Sequence, residues 1–184
     1  MQTVEKSYTA TYEVKKSKFI AHLVPISEFE GLQDKLRAKH PKSRHVIYAL
    51  RYLNEFDQIV ENFSDDEEPK GAAGVPSLNV LRGDELINVA VVTVRYFGGI
   101  KLGIGGMARA YANALKEVLN ISDIIKYEKM FSYNFETSYS NIQKTEYLLN
   151  KIGISEVHKE FGIENVSWRV EATEVKLKAF KEQR

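Results

Sequence analysis

The sequence predicts a protein of mixed strands and helices in two domains, and three observations carry that reading. Val89–Val94 is a near-continuous apolar run rich in β-branched residues. Too short to cross a membrane, such a run reads as a strand buried on both faces. It leads into Gly98-Gly99-Ile100-Lys101-Leu102-Gly103-Ile104-Gly105-Gly106, five glycines in nine residues, and then into a helix. There Ile104, Met107, Ala108, Tyr111, Leu115, Val118 and Leu119 share one face, and Arg109, Asn113 and Lys116 the other. Past Met130 the pattern starts afresh as strand, helix, strand, strand, helix.

Taken in order, Tyr8–Val14 and Lys18–Val24 alternate as two strands, with Lys15-Lys16-Ser17 as the hairpin turn. Pro25 ends the second strand, and Ser27…Glu30 forms a capping box before a helix with Phe29, Leu32 and Leu36 on its apolar face. His40-Pro41 stops that helix, because the residue before proline avoids the helical region. Residues 44–53 read as a strand with Val46, Tyr48 and Leu50 facing one way and His45, Ile47, Ala49 and Arg51 the other. A weaker strand reaches Phe63, and Ser64–Val75 is a loop by composition. Pro76–Arg82 reads as a short helix, since proline suits a first turn. The first domain spans 1–124 and the second 125–184. In the second, Phe131, Tyr133 and Phe135 alternate as a strand, Ser140…Gln143 opens a helix that ends near Gly153, two strands pair around Gly162, and Thr173 begins a last helix. A ferredoxin-like domain has that order plus one more strand.

Composition narrows the function. Lysine and arginine nearly balance aspartate and glutamate, for a net charge of +1, so any nucleic-acid surface must be a local patch. The absence of cysteine excludes disulfides and thiolate chemistry. The N-terminus lacks the apolar core of a signal peptide and no apolar run is long enough to span a bilayer, which reads as a soluble cytoplasmic protein with no membrane partner.

Four features are candidate sites. The glycine segment offers backbone N–H groups and a helix N-terminus to a phosphate, with Lys101 and Arg109 adding charge; equally, its glycines let helix and sheet pack closely. It is neither a P-loop nor a dinucleotide fingerprint, and no cofactor is implied. Arg95 precedes it and is a further candidate phosphate contact. Asp65, Asp66, Glu67 and Glu68 are clustered oxygens of the kind that gather Mg²⁺, dock a partner, pair with the cations Arg95, Lys101 and Arg109, or simply form a solvated turn. His45 lies on a strand beside Arg44 with no acid or nucleophile near it in sequence. No catalytic residue is assigned.

The run Arg95-Tyr96-Phe97-Gly98-Gly99-Ile100-Lys101-Leu102-Gly103, followed by Gly105-Gly106 and Arg109-Ala110-Tyr111, resembles the IMPACT/YigZ family. Ser17-Lys18-Phe19-Ile20-Ala21, Arg44-His45 and, with positions 67, 70 and 72 left open, Asp65-Asp66-x-Glu68-Pro69-x-Gly71-x-Ala73-Gly74 extend the match. The resemblance implies an α+β protein: an N-terminal domain of the ribosomal protein S5 domain 2-like fold, similar to domain IV of the translocation elongation factor, and a C-terminal ferredoxin-like domain similar to elongation factor G domain V, with its last strand missing. It departs from the family where Glu67 replaces a common glycine, Lys70 a small hydroxyl residue and Ala72 a threonine. Eukaryotic members bind the ribosome-associated activator of the starvation kinase. The function implied is a non-enzymatic, translation-linked regulator binding RNA or the ribosome. Arg95, Gly98, Gly99, Lys101, Gly103, Gly105, Gly106, Arg109 and His45 form the binding face, and Asp65, Asp66 and Glu68 a possible docking or metal loop. Two alternatives stand beside it: a regulator docking on a protein of translational control, and a hydrolase or transferase acting on a nucleotide-like or phosphorylated small molecule.

Overall fold

A computed structural model describes all residues, Met1–Arg184. Two compact units result, Met1–Tyr127 and Glu128–Arg184. The division falls three residues after the expected 124/125 boundary, because the short strand β7 (Ile125–Lys126) pairs antiparallel with β1 (Gln2–Thr3) and so stays with the first unit.

The first unit is built on a five-stranded antiparallel sheet. Its strands are β2 (Tyr8–Val14), β3 (Ser17–Pro25), β4 (His45–Leu53), β5 (Ile59–Ser64) and β6 (Val89–Tyr96), in the order β2-β3-β6-β4-β5. β6 is central and buried along both faces, as its unbroken apolar run requires. Alternate residues divide two cores. Phe19, Ala21, Leu23, Ile47, Ala49, Val89 and Val91 pack under α2 (Gly74–Gly83) and α3 (Ile104–Asn120). Val46, Val92 and Val94 meet Leu36 of α1 (Leu32–Lys39) on the other face.

Both predicted capping boxes are corrected. The first helix does not start at Ser27: Ile26–Glu28 makes a 3₁₀ turn whose Ile26 N–H donates to the Asn88 carbonyl at 2.8 Å, and α1 begins only after Gly31 turns left-handed at φ 70°. In the second unit a 3₁₀ turn at Tyr139–Asn141 likewise precedes α4 (Ile142–Ile152), with no side-chain cap on either helix. Ile104 also leaves its predicted apolar face and stands 65 % exposed at the start of α3.

The second unit is a three-stranded antiparallel sheet of β8 (Met130–Ser138), β9 (Glu156–Phe161) and β10 (Asn165–Thr173) in the order β8-β10-β9, with α4 and α5 (Glu174–Gln183). This is the ferredoxin-like arrangement without the strand that would lie beside β8. β10 alternates buried and exposed along its length, the pattern of a strand with one solvated face. Its buried face stacks Trp168 on Phe135, with ring centroids 5.8 Å apart, and Trp168 Nε1 donates to Thr137 Oγ1 at 2.8 Å, so the indole is buried with its donor satisfied.

Candidate functional site: a charged pocket at the end of the first sheet

Register places the site. Across three neighbouring strands, Phe19, Arg95 and His45 are aligned partners, on the face that α2 and α3 cover. Arg95 is 5 % exposed and His45 8 %, so each needs a partner within the fold. The acidic loop supplies it. Left-handed backbone at Asp66 (φ 45°) and Glu67 (φ 67°) turns the chain back over the strand ends and buries Glu68. Glu67 stands where the family commonly carries glycine, and its φ gives the physical reason for that glycine.

Glu68 is the hub. Its Oε1 accepts a short hydrogen bond from Arg95 Nη1 and another from the Tyr111 hydroxyl at 2.8 Å, and its Oε2 lies 3.7 Å from His45 Nε2. Burial, with the Glu68 carboxylate beside it, pushes the Tyr111 phenol far above its ordinary range, so Tyr111 stays a donor. The Arg95 guanidinium also lies 5.5 Å from the Phe19 ring centroid and 5.9 Å from that of Phe97.

The other acidic residues are equally engaged. Asp65 accepts the N–H groups of Gly71 (2.8 Å), Ala73 (3.1 Å) and Gly74 (2.8 Å) at the start of α2. Asp66 continues the β4 edge where β5 ends: its Oδ2 accepts the Val46 N–H at 2.6 Å, its Oδ1 accepts Arg37 Nη2 at 2.8 Å, and its carbonyl oxygen lies 2.6 Å from His45 Nδ1. Burial acts to raise the Asp66 carboxyl, but the Arg37 guanidinium and the Val46 N–H outweigh it and hold it below the usual range. Asp65 and Asp66 thus direct their carboxylates to the protein's own N–H groups and Arg37, and Asp65, Asp66 and Glu68 do not form a group of three or more His, Asp or Glu disposed to hold an ion.

Several glycines are explained by packing. A Cβ on Gly98 would lie 2.0 Å from the Lys16 carbonyl carbon and 2.3 Å from Ser17 N, because the β2–β3 turn passes directly over it. Gly98 N–H donates to the buried Ser17 hydroxyl at 3.1 Å. Two widely separated stretches, the one at Ser17 and the one at Gly98, thus meet at one contact. Gly99 and Gly103 are left-handed, at φ 84° and 72°. On Gly106 a Cβ would come within 3.2 Å of Leu102 Cβ, while Gly105 opens toward Arg109.

Not all the expected phosphate contacts converge. Arg95 is buried and neutralised by Glu68, so that expectation is corrected. Arg109 lies apart, lining a shallow groove between α2 and α3 with Pro76, Val80 and Lys116. Lys101 and His45 do come together, joined by Arg44, in a pocket of about 360 Å³ completed by Glu67, Glu68, Pro69, Arg95, Phe97 and Met107. Phe97 is 44 % exposed there. The pocket has no serine, threonine or cysteine on its walls, so it has charge and acid–base groups without a hydroxyl or thiol nucleophile. Sequence reading offered the acidic loop as a partner for the cations but did not single out Glu68, and it gave His45 no acidic partner.

Fold and site together define a two-unit α+β protein whose first unit closes a charged pocket over one end of its sheet. Residues 15–119 match the Impact N-terminal domain. The IMPACT family member YvyE of Bacillus subtilis is 34 % identical over 98 % of this chain and 83 % of its own length. An IMPACT family member of Haemophilus influenzae is 36 % identical over 81 % of this chain and 74 % of its own. A crystal structure of a hypothetical protein superposes with a TM-score of 0.69 at 29 % identity, covering 99 % of this chain and 89 % of that one. The chain belongs to the IMPACT family. No helix is long and apolar enough to cross a membrane.

Proposed function

We propose that this is a translation-linked protein whose first unit binds RNA, on the ribosome or free, through the basic rim around the glycine segment. The observation that carries this reading is a set of exposed cations with no acidic partner. Lys15 and Lys16 occupy the two-residue turn that passes over Gly98, and Arg44 and Lys101 stand at the mouth of the pocket; none of the four makes an ion pair. Because Glu68 is spent on Arg95, it does not cancel them. The open sheet face of the second unit is the poorer candidate: Glu136, Glu156, Glu160 and Glu171 outnumber Arg169 there, and carboxylates repel phosphates. Co-sedimentation with ribosomes and their subunits across a salt series tests the reading. Arg44→Ala with Lys101→Ala should weaken association and lower the slope of log K against log salt by about 1.4, roughly 0.7 for each phosphate no longer neutralised. Absence of association at low salt, or association indifferent to the double substitution, would sink it.

A second reading, docking on a protein of translational control, is supported by Phe97, Ile100 and Ile104, which the same segment leaves 44 %, 44 % and 65 % exposed. Association that ignores salt and is abolished by Ile100→Ser with Ile104→Ser would favour it.

A further inference from the structure

The pocket beneath the basic rim holds polar groups that the fold leaves unmatched. His45 Nδ1 lies against a carbonyl oxygen, the Asp66 carbonyl at 2.6 Å, and a carbonyl only accepts. A carbonyl partner requires that Nδ1 carry a proton, and Nε2 is left facing the pocket. No hydrogen bond reaches that nitrogen; its nearest charged neighbour is Glu68 Oε2 at 3.7 Å. Glu68 commits Oε1 to Arg95 and Tyr111 and leaves Oε2 without a hydrogen bond. Arg95 commits Nη1 to Glu68 and Met107, and Nη2 makes no hydrogen bond. Arg95 Nε is fully buried with no partner, although buried polar atoms ordinarily find one. A guanidinium nitrogen, a carboxylate oxygen and an imidazole nitrogen thus stand together on the floor, in residues between 5 % and 8 % exposed.

The walls and mouth restrict what can satisfy them. Phe97 and Met107 are apolar surfaces, and the phenyl ring is half in solvent, free to stack. Arg44 and Lys101 at the mouth add two exposed positive charges without ion-pair partners. A volume of about 360 Å³ sits near the lower end of small-ligand sites, which run from roughly 300 to 1,000 Å³. The complementary ligand is a flat ring with donors and acceptors along one edge, carrying an anion a few bonds away. We infer that the pocket binds one nucleotide. Its base lies against Phe97 and Met107 with its polar edge on Arg95, Glu68 and His45, and its phosphate sits between Arg44 and Lys101. The nucleotide is either a free nucleoside monophosphate or an unpaired residue of an RNA, and only the latter source rests on the RNA-binding reading.

The test uses the full chain, the four ribonucleoside monophosphates, and single-stranded and duplex RNA of equal length. Binding is followed by titration and by the NMR ring signals of His45 and Phe97. At least one monophosphate should bind and shift both rings, and its nucleoside should bind at least tenfold more weakly. Phe97→Ala, an exposed substitution that spares the buried cluster, should weaken monophosphate binding about five- to hundredfold. Loss of single-stranded but not duplex affinity in the same variant identifies the nucleotide as part of an RNA. A monophosphate that binds while neither RNA does identifies a free nucleotide and overturns the RNA reading alone. RNA that binds through the rim with both rings unmoved by every monophosphate overturns the pocket inference alone. If no RNA binds and no ring signal moves at millimolar nucleotide, both fall.

Discussion

Replacing Glu68 by glutamine keeps the shape of the hub and removes its charge. The amide oxygen still accepts from Tyr111 and Arg95, but the guanidinium, 5 % exposed, loses the one carboxylate beside it that has an exposure as low as 7 %. His45 cannot compensate, being basic itself. Stripping one partner from a buried ion pair costs about 3–5 kcal/mol, because the remaining charge stays desolvated. For a unit of this size that corresponds to a fall in Tm of roughly 10–20 °C. Pairing Glu68→Gln with Arg95→Met removes both charges and should recover at least half of the loss, a coupling of about 2 kcal/mol or more. Hydrogen exchange at the β4 and β6 amides, which flank the pair, is the appropriate readout. Fluorescence is not, because the single tryptophan, Trp168, belongs to the second unit. A loss below about 1 kcal/mol in the single variant, or a double variant equal to the sum of the singles, would refute the view that Glu68 neutralises Arg95.

Three further outcomes are expected. Burial, helped by the nearby charges of His40 and Lys39, lowers the His22 imidazole from 6.5 to about 4. The unfolded chain therefore binds the extra proton between those values, and stability is complete above pH 6.5 and falls as pH drops toward 4. The loss is about 1–3 kcal/mol after discounting for partial exposure, and His22→Asn should flatten that part of a pH–stability curve; an unchanged curve would remove His22 from the account. Asp65→Ala strips the acceptor from three backbone N–H groups at the start of α2 and should cost about 2 kcal/mol, seen as faster exchange at Ala73 and Gly74. Gly98→Ala should cost about 2–4 kcal/mol by forcing the Lys16–Ser17 turn away; retention of wild-type stability, measured by urea unfolding, would contradict the close approach.

The elements legible in the sequence are those fixed by local period. β6 was readable because Val89–Val94 is apolar at every position, and α3 because Met107, Tyr111, Leu115 and Val118 share one helical face. The capping boxes at Ser27 and Ser140 failed because local chemistry lost to tertiary demand. Ile26 is tied to Asn88 across the sheet, and Ser140 Oγ turns to Ser138 Oγ at 2.9 Å. In the site, Lys101 was legible as an exposed cation of the glycine segment. Arg95 was not legible as a buried one, since its burial depends on a carboxylate 27 positions away that only the turn at Asp66 and Glu67 brings across. Likewise, the row of Phe19, Arg95 and His45 exists only through strand register, which a single sequence does not specify.

β8 hydrogen-bonds β10 along nine residues, and no strand lies on its other side. Its sequence, Met-Phe-Ser-Tyr-Asn-Phe-Glu-Thr-Ser, has neither proline nor lysine, and its register has no bulge, so the usual devices that discourage foreign strands are absent. Arg184 covers one point, donating to the Glu136 carbonyl at 2.5 Å. The rest is a ready template. A foreign strand that met this edge would find unpaired backbone N–H and C=O groups along most of its length and no lysine, proline or bulge to turn it aside.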